Sequence, residues 1–215
     1  PPPPAPRWCP VPDQLNIEVV YALPERQTVL RLRVPAQTSV LAALEQSGYT
    51  MRTLWMHSNE AAHIAAWLAQ SERAPADVAG MARTAGLLHD IGKLALAANL
   101  PEAFLRCVAL ADQRSCDAST AEQEIIGTTH GEVGGCLLGL WGLPMEVVEA
   151  VALHHHPACF RSKSFSPLTA VHVADALLRA ESAEHFRALV DRDYLAVLGL
   201  EGQIPAWWEA SRKEI

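Results

Sequence analysis

The hydrophobic rhythm of the chain changes once. In "NIEVVYAL" and "RQTVLRLRV" apolar and polar residues tend to alternate, and the two runs read as β-strands joined at Pro24-Glu25 in a hairpin. "SVLAALEQSG" then reads as a short helix opening at Ser39 and closing at Gly48. From Met51 onward apolar residues recur with a helical period. They predict helices near 51–71, 76–96, 101–112, 119–140, 144–156, 166–182 and 186–198, followed by a short Trp-bearing tail. Ser119 with Glu122 reads as a capping box. Pro75, Pro101, Pro144 and Pro167 fall at helix starts, where a missing N–H is tolerated. The expected fold is mainly α, a helical bundle behind a short ββα segment. Its expected parts are a Pro-rich leader (1–13), the ββα segment (14–49), the helical domain (51–200) and a C-terminal tail (201–215).

Composition narrows the function classes. A length of 215 residues suits one compact domain with a small appendage. No uncharged run is long and apolar enough to cross a bilayer, and the opening PPPPAPRWCP has no secretory pattern. The net charge of -7 argues against non-specific attraction to nucleic acid or anionic membrane, so neither is an expected partner. The five cysteines (Cys9, Cys107, Cys116, Cys136, Cys159) have irregular spacing and no CxxC pair. They indicate neither a zinc knuckle nor a disulfide framework. Cys107 and Cys136 read as buried thiols, and a reducing cytoplasm is the expected location.

A set of polar residues interrupts the apolar helices. His57 lies in "LWMHSNEAAHIAAWLA", and His89, Asp90 and Lys93 in "LLHDIGK". His130 lies in "TTHGEVGG", His154, His155 and His156 in "LHHHP", and Asp175 in "AVHVADALL". Each has an ordinary reading when taken singly. A histidine can be satisfied in a core, Asp90 can end a helix, and Asp175 can pair with an arginine. Lys93 can be a solvated side chain at a helix end, and the His triplet a surface cluster. Taken together they read differently, because buried carboxylates need a cation or strong donors. Helical proteins build metal centres from inward ligands on several helices. Imidazoles and carboxylates without thiolates suit Mn, Fe, Zn, Ni or Mg and do not choose sharply among them.

The motifs "LWMHS", "AGLLHDIGKLAL", "EIIGTTHGEVGGCLLGLWGLP", "VALHHHP" and "HVADALL" resemble, in order and spacing, the HD superfamily and specifically its HDOD family, over about residues 51–200. The Gly-Tyr-Pro stretch of the related HD-GYP phosphodiesterases is absent, and "HHHPACFRSKSFSPL" stands in its place. The resemblance implies one metal set of His57, His89, Asp90 and Asp175. It implies a second completed by His130, His154 and His155, with Asp90 bridging and Lys93 facing a substrate phosphate. Asp90 and Lys93 are thus the candidate catalytic residues. His156 takes a variable position, and His63, His172 and His185 match no ligand position.

This resemblance implies a signal-transduction domain holding one or two divalent metal ions. The candidate activity is phosphohydrolysis of a nucleotide or cyclic nucleotide. The alternative is a non-catalytic regulatory scaffold for protein partners, its metal site structural or empty. HDOD proteins usually carry a further helical half before the first histidine. Here "LNIEVVYALPERQTVLRLRVPAQTSVLAALEQSG" (15–48) stands there and resembles the opening of the RnfH family, small ubiquitin-like β-grasp proteins. That resemblance implies a third and narrower reading, a ubiquitin-like adaptor.

Overall fold

In the computed structural model, which describes residues 14–23, 26–35, 51–160 and 164–212, the two β-patterned runs form antiparallel strands. These are β1 (Gln14–Leu23) and β2 (Arg26–Pro35). Their register runs from Gln14 opposite Pro35 to Leu23 opposite Arg26, as a hairpin requires. The leader and the helix expected at 39–48 lie outside the described residues. The rest of the described chain is helical, with short 3-10 turns at Pro157–Cys159 and Glu201–Gln203. The first helices are α1 (Met51–Ser71), α2 (Ala76–Leu88), α3 (Ile91–Asn99), α4 (Pro101–Arg114), α5 (Ala118–Ile125) and α6 (His130–Leu140). They are followed by α7 (Met145–Leu153), α8 (Pro167–Arg179), α9 (Ala183–Leu189), α10 (Arg192–Val197) and α11 (Ile204–Ser211).

Helix α8 forms the centre. It is buried continuously from Pro167 to Leu177, and a helix buried on all sides belongs inside a bundle. Its start is fixed by Pro167 in the first turn and by a capping box between Ser166 and Thr169. Helices α1, α2 and α7 pack around it. Helix α1 contributes a buried stripe of Ala61, Ile64, Ala65, Leu68 and Ala69, the i, i+3, i+4 spacing of one helix face. Helix α3 rests on α6, and α6 on α7. The first of these contacts is backbone on backbone, since a Cβ on Gly92 would sit 1.9 Å from the carbonyl oxygen of His130.

Several boundaries differ from the sequence expectation. The helix expected at 76–96 is two helices, broken at Asp90, whose φ of -98° and ψ of 7° leave the helical region. No Gly or Pro stands at the break to signal it. The helix expected at 119–140 is also two. Gly127, at φ 83°, ends α5 in the left-handed conformation, and Thr129 caps α6 in a capping box with Glu132. The box expected at Ser119 and Glu122 does not form: Asp117 is the N-cap of α5, and Glu122 is buried. Pro101 begins α4 and Pro167 begins α8, whereas Pro75 and Pro144 are N-caps one residue earlier.

The segment expected as a helix at 186–198 is divided between α9 and α10. The Trp-bearing tail is helix α11, where buried Trp207 donates from Nε1 to Glu72 Oε1 at 2.9 Å. Cys107 is buried as expected, but Cys136 is only half-buried. Burial, aided by the charge of Glu122, pushes the Cys107 thiol up to about 11, so it packs rather than reacts. Among the described residues no helix is long and apolar enough to cross a membrane.

Two glycine substitutions test the packing in opposite directions. Gly92→Ala drives a methyl into the His130 backbone and should cost about 1–3 kcal/mol or more. Gly80 lies inside α2, and a methyl there would meet nothing within 4 Å, so Gly80→Ala should stabilise by about 0.4–1 kcal/mol. Chemical denaturation of both variants measures the contrast.

Candidate metal centre

Helix ends bring most of the polar residues together. His89 caps the C-terminus of α2 and Asp90 the N-terminus of α3. His130 is the first residue of α6, and His154 caps the end of α7 with His155 next in the chain. His57 and Asp175 come from within α1 and α8. His57 Nε2 lies 3.2 Å from His89 Nε2, 3.4 Å from Asp175 Oδ1 and 3.9 Å from Asp90 Oδ2. His89 Nε2 lies 3.6 Å from Asp90 Oδ2 and 4.0 Å from Asp175 Oδ1. Across the cluster, His130 Nε2 lies 3.2 Å from His155 Nε2 and 3.4 Å from His154 Nε2.

Asp90 stands between these groups, with Oδ2 toward His57 and His89 and Oδ1 3.3 Å from His130 Nε2. Three triads each place their donor atoms within 4.8 Å of one another: His57, His89 and Asp175; His89, Asp90 and His154; and His130, His154 and His155.

The outer nitrogens orient the rings. His89 Nδ1 donates to Gly86 O at 2.7 Å, and His154 Nδ1 donates to Val151 O at 2.8 Å. A carbonyl can only accept, so Nδ1 carries the proton and Nε2 points inward as a potential ligand. His130 Nδ1 donates instead to the carboxylate of Glu122, at 2.7 Å. His172 donates from Nδ1 to His154 O at 2.7 Å and accepts at Nε2 from Asp191 N at 2.9 Å. It is a satisfied core histidine that ties the end of α7 to the start of α10.

Electrostatics follow from burial and neighbours. Burial alone would raise the Asp90 carboxyl, but Lys93, His89 and His130 hold it well below the usual range. Burial likewise opposes ionisation of Asp175, and His57, Arg179, His155 and His89 outweigh it. Burial lowers His89, and it lowers His154 and His155 strongly, with neighbouring imidazoles adding to the effect on all three. His130 goes the other way. Burial acts against its charge, yet the carboxylates of Glu122 and Asp90 beside it raise it to about 9.

The donor set fits a divalent cation. Asp90 Oδ1 and Asp175 Oδ2 are buried without a hydrogen bond, although a cation or imidazole lies near each. His130 is beside the first, off the hydrogen-bonding direction, and Arg179 Nη2 is 2.9 Å from the second as an ion pair. Inward imidazole nitrogens and carboxylate oxygens are the ligands such ions take. Lys93 Nζ donates to Asp90 Oδ2 at 2.7 Å. His57, Lys93 and His155 are partly exposed and mark where the cluster meets solvent.

All seven candidate ligands and Lys93 thus meet in one place. His63, His156 and His185 are exposed and stand apart from the three triads. Sequence reasoning missed Glu122, which resembled a capping residue, and Arg179. The latter pairs with Asp175 and with Asp117 at the start of α5. No local pattern marks Glu122 as buried, since in "AEQEIIG" it is followed by two further polar residues.

The sequence model of the HDOD domain matches residues 32–157, a span that stops before Asp175. Ribonuclease Y of Thermus thermophilus is 34% identical over 112 residues, covering 52% of this chain and 14% of that protein. Protein RnfH of Tolumonas auensis is 52% identical over 42 residues, 20% of this chain and 42% of its own, in line with the expected RnfH likeness. The chain spans less than half the length of these relatives. An HDOD domain protein of unknown function from Geobacter sulfurreducens superposes with a TM-score of 0.64 at 24% identity, over 81% of this chain and 65% of that one. The HD domain of the L. monocytogenes phosphodiesterase PgpH, in complex with cyclic-di-AMP, superposes with a TM-score of 0.50 at 12% identity, over 84% and 99%. At these identities the structural likeness is one of fold. With more than half of its length matched by the family's sequence model, the chain belongs to the HDOD domain family.

Proposed function

We propose that the chain binds one or two divalent metal ions and hydrolyses a phosphoester of a nucleotide or cyclic nucleotide. His57, His89, Asp90 and Asp175 would hold one ion. His130, His154 and His155 would hold the other, with Asp90 shared. The observation that carries this reading is the convergence of these seven side chains from separate helices into three overlapping triads, with Asp90 standing between the two groups. When bound, such ions supply a water of lowered pKa and neutralise charge on a phosphoryl group. Asp90 would reach both sets, its Oδ2 facing His57 and His89 and its Oδ1 facing His130. Lys93, at the solvent-facing edge, places an ammonium where it can meet phosphate oxygens. A nucleotide ligand is supported by the cyclic-di-AMP complex of the Listeria HD domain, which shares the fold.

A regulatory reading has its own observation. Leu140, Trp141 and Met145, at the turn between α6 and α7, are 75%, 60% and 62% exposed, and exposed apolar side chains of this kind suit a protein partner. Metal analysis of freshly purified protein, followed by a screen of phosphomonoesters, diesters, cyclic dinucleotides and nucleoside phosphates with Mn, Fe, Ni and Mg, separates the two. Metal without cleavage of any of these compounds would leave the regulatory reading standing.

Two outcomes are expected from substitutions. Asp90→Ala should remove metal and hydrolysis together. Lys93→Ala should keep the metal content and lower turnover by about 10²-fold, as for other lost electrostatic stabilisers. Elemental analysis beside steady-state kinetics reads both.

Metal affinity should also depend on pH. His130, raised to about 9, holds a proton at neutral pH that an ion at Nε2 must displace. Affinity for the ion at His130 should therefore rise about tenfold per pH unit from pH 7 toward 9 and then level off. His89, His154 and His155 are lowered and add no such proton in that range. A titration whose affinity is already flat by pH 7 would contradict this.

A further inference from the structure

We infer that Glu122 is a positioning residue that sets the strength of the second metal position, acting through His130. The inference rests on the two-metal reading above and adds to it a residue outside the ligand set. Glu122 is buried, and its Oε2 accepts both from the backbone N of His130 and from its Nδ1, each at 2.7 Å. One carboxylate oxygen thus pins the ring and the backbone that carries it. Nε2 is left facing Asp90, His154 and His155 at 3.3, 3.4 and 3.2 Å.

The other anchored ligand rings are held differently. His89 and His154 donate to neutral backbone carbonyls. A carboxylate acceptor makes a stronger, charge-assisted bond and raises the basicity of the opposite ring nitrogen toward a metal. The effect is local, because no hydrogen bond joins Glu122 to His57, His89 or Asp175 among the described contacts. Its helix supplies none of the ligands. Helix α5 is clamped at its start by the Asp117–Arg179 ion pair, and Arg179 also holds Asp175. The helix is therefore braced from the first metal set while it orients a ligand of the second.

Calorimetric titration of Mn²⁺ into metal-free wild type, Glu122→Gln and Glu122→Ala tests the assignment, with thermal melting of each protein alongside. Wild type should take two ions per chain. Glu122→Gln keeps an acceptor oxygen but loses the charge, and should weaken one of the two ions by about 10–100-fold while leaving the other unchanged. Glu122→Ala should lose that ion. Where the alanine variant does not fold, the glutamine variant decides. Two ions bound at wild-type strength in the glutamine variant would overturn the inference. Equal weakening of both ions would also overturn it, since that is what a general packing role produces. A wild-type protein that takes fewer than two ions fails the underlying two-metal reading, which is visible before any variant is made, and the assignment falls with it.

Discussion

Asp90 and Asp175 are only 2% and 3% exposed, and both are held ionised inside a helical core. Moving a carboxylate out of water costs several kcal/mol even after the protein relaxes. The surroundings of these two side chains are arranged to offset that cost. One oxygen of each meets a cation, Lys93 for Asp90 and Arg179 for Asp175, and the remaining contacts are imidazoles. This requirement accounts for a charged residue on the most buried helix of the bundle. It also accounts for the ring of histidines, three of which, His89, His130 and His154, commit their outer nitrogens elsewhere so that the inner ones turn toward the centre.

Bringing so many side chains to one place demands that backbones come closer than ordinary residues permit. Helix α3 lies against the first residue of α6 at Gly92, where any side chain would strike the His130 carbonyl. The cluster is built largely from helix ends. A terminus lets two adjacent residues such as His89 and Asp90 both aim inward, whereas neighbours along a continuous helix are splayed about 100° apart. The interruption at Asp90, costly to helix regularity, serves the centre directly.

That interruption is also where the sequence was least legible. The apolar period runs straight through "AGLLHDIGKLAL", and no Gly or Pro marks the break at His89 and Asp90. The force that breaks the helix lies in tertiary contacts with α6, which a local pattern does not contain. Ligand candidates were easier to find, because histidines and aspartates on apolar faces are conspicuous and their order matched a family motif. Glu122 was hidden by the opposite effect. A glutamate three residues after a serine has an ordinary local explanation, and its real partner lies beyond the turn at Gly127. Arg179 was hidden for the same reason, since a basic residue in a last helical turn suits the helix dipole without further comment.

The pairing of Lys93 with Asp90, Arg179 with Asp175 and His130 with Glu122 means that each buried acid has a resident cation of its own. Many small metal domains lack this and are unfolded until the ion arrives. Here charge balance is internal, so under the proposed function folding and loading would be separable events. An incoming ion would not fill a hole in the electrostatics so much as exchange with what is already there, evicting a proton from His130 and loosening the grip of Asp90 on Lys93. Loading would then announce itself at the solvent-facing edge as a released ammonium group, and emptying would withdraw it, with the bundle intact in both states.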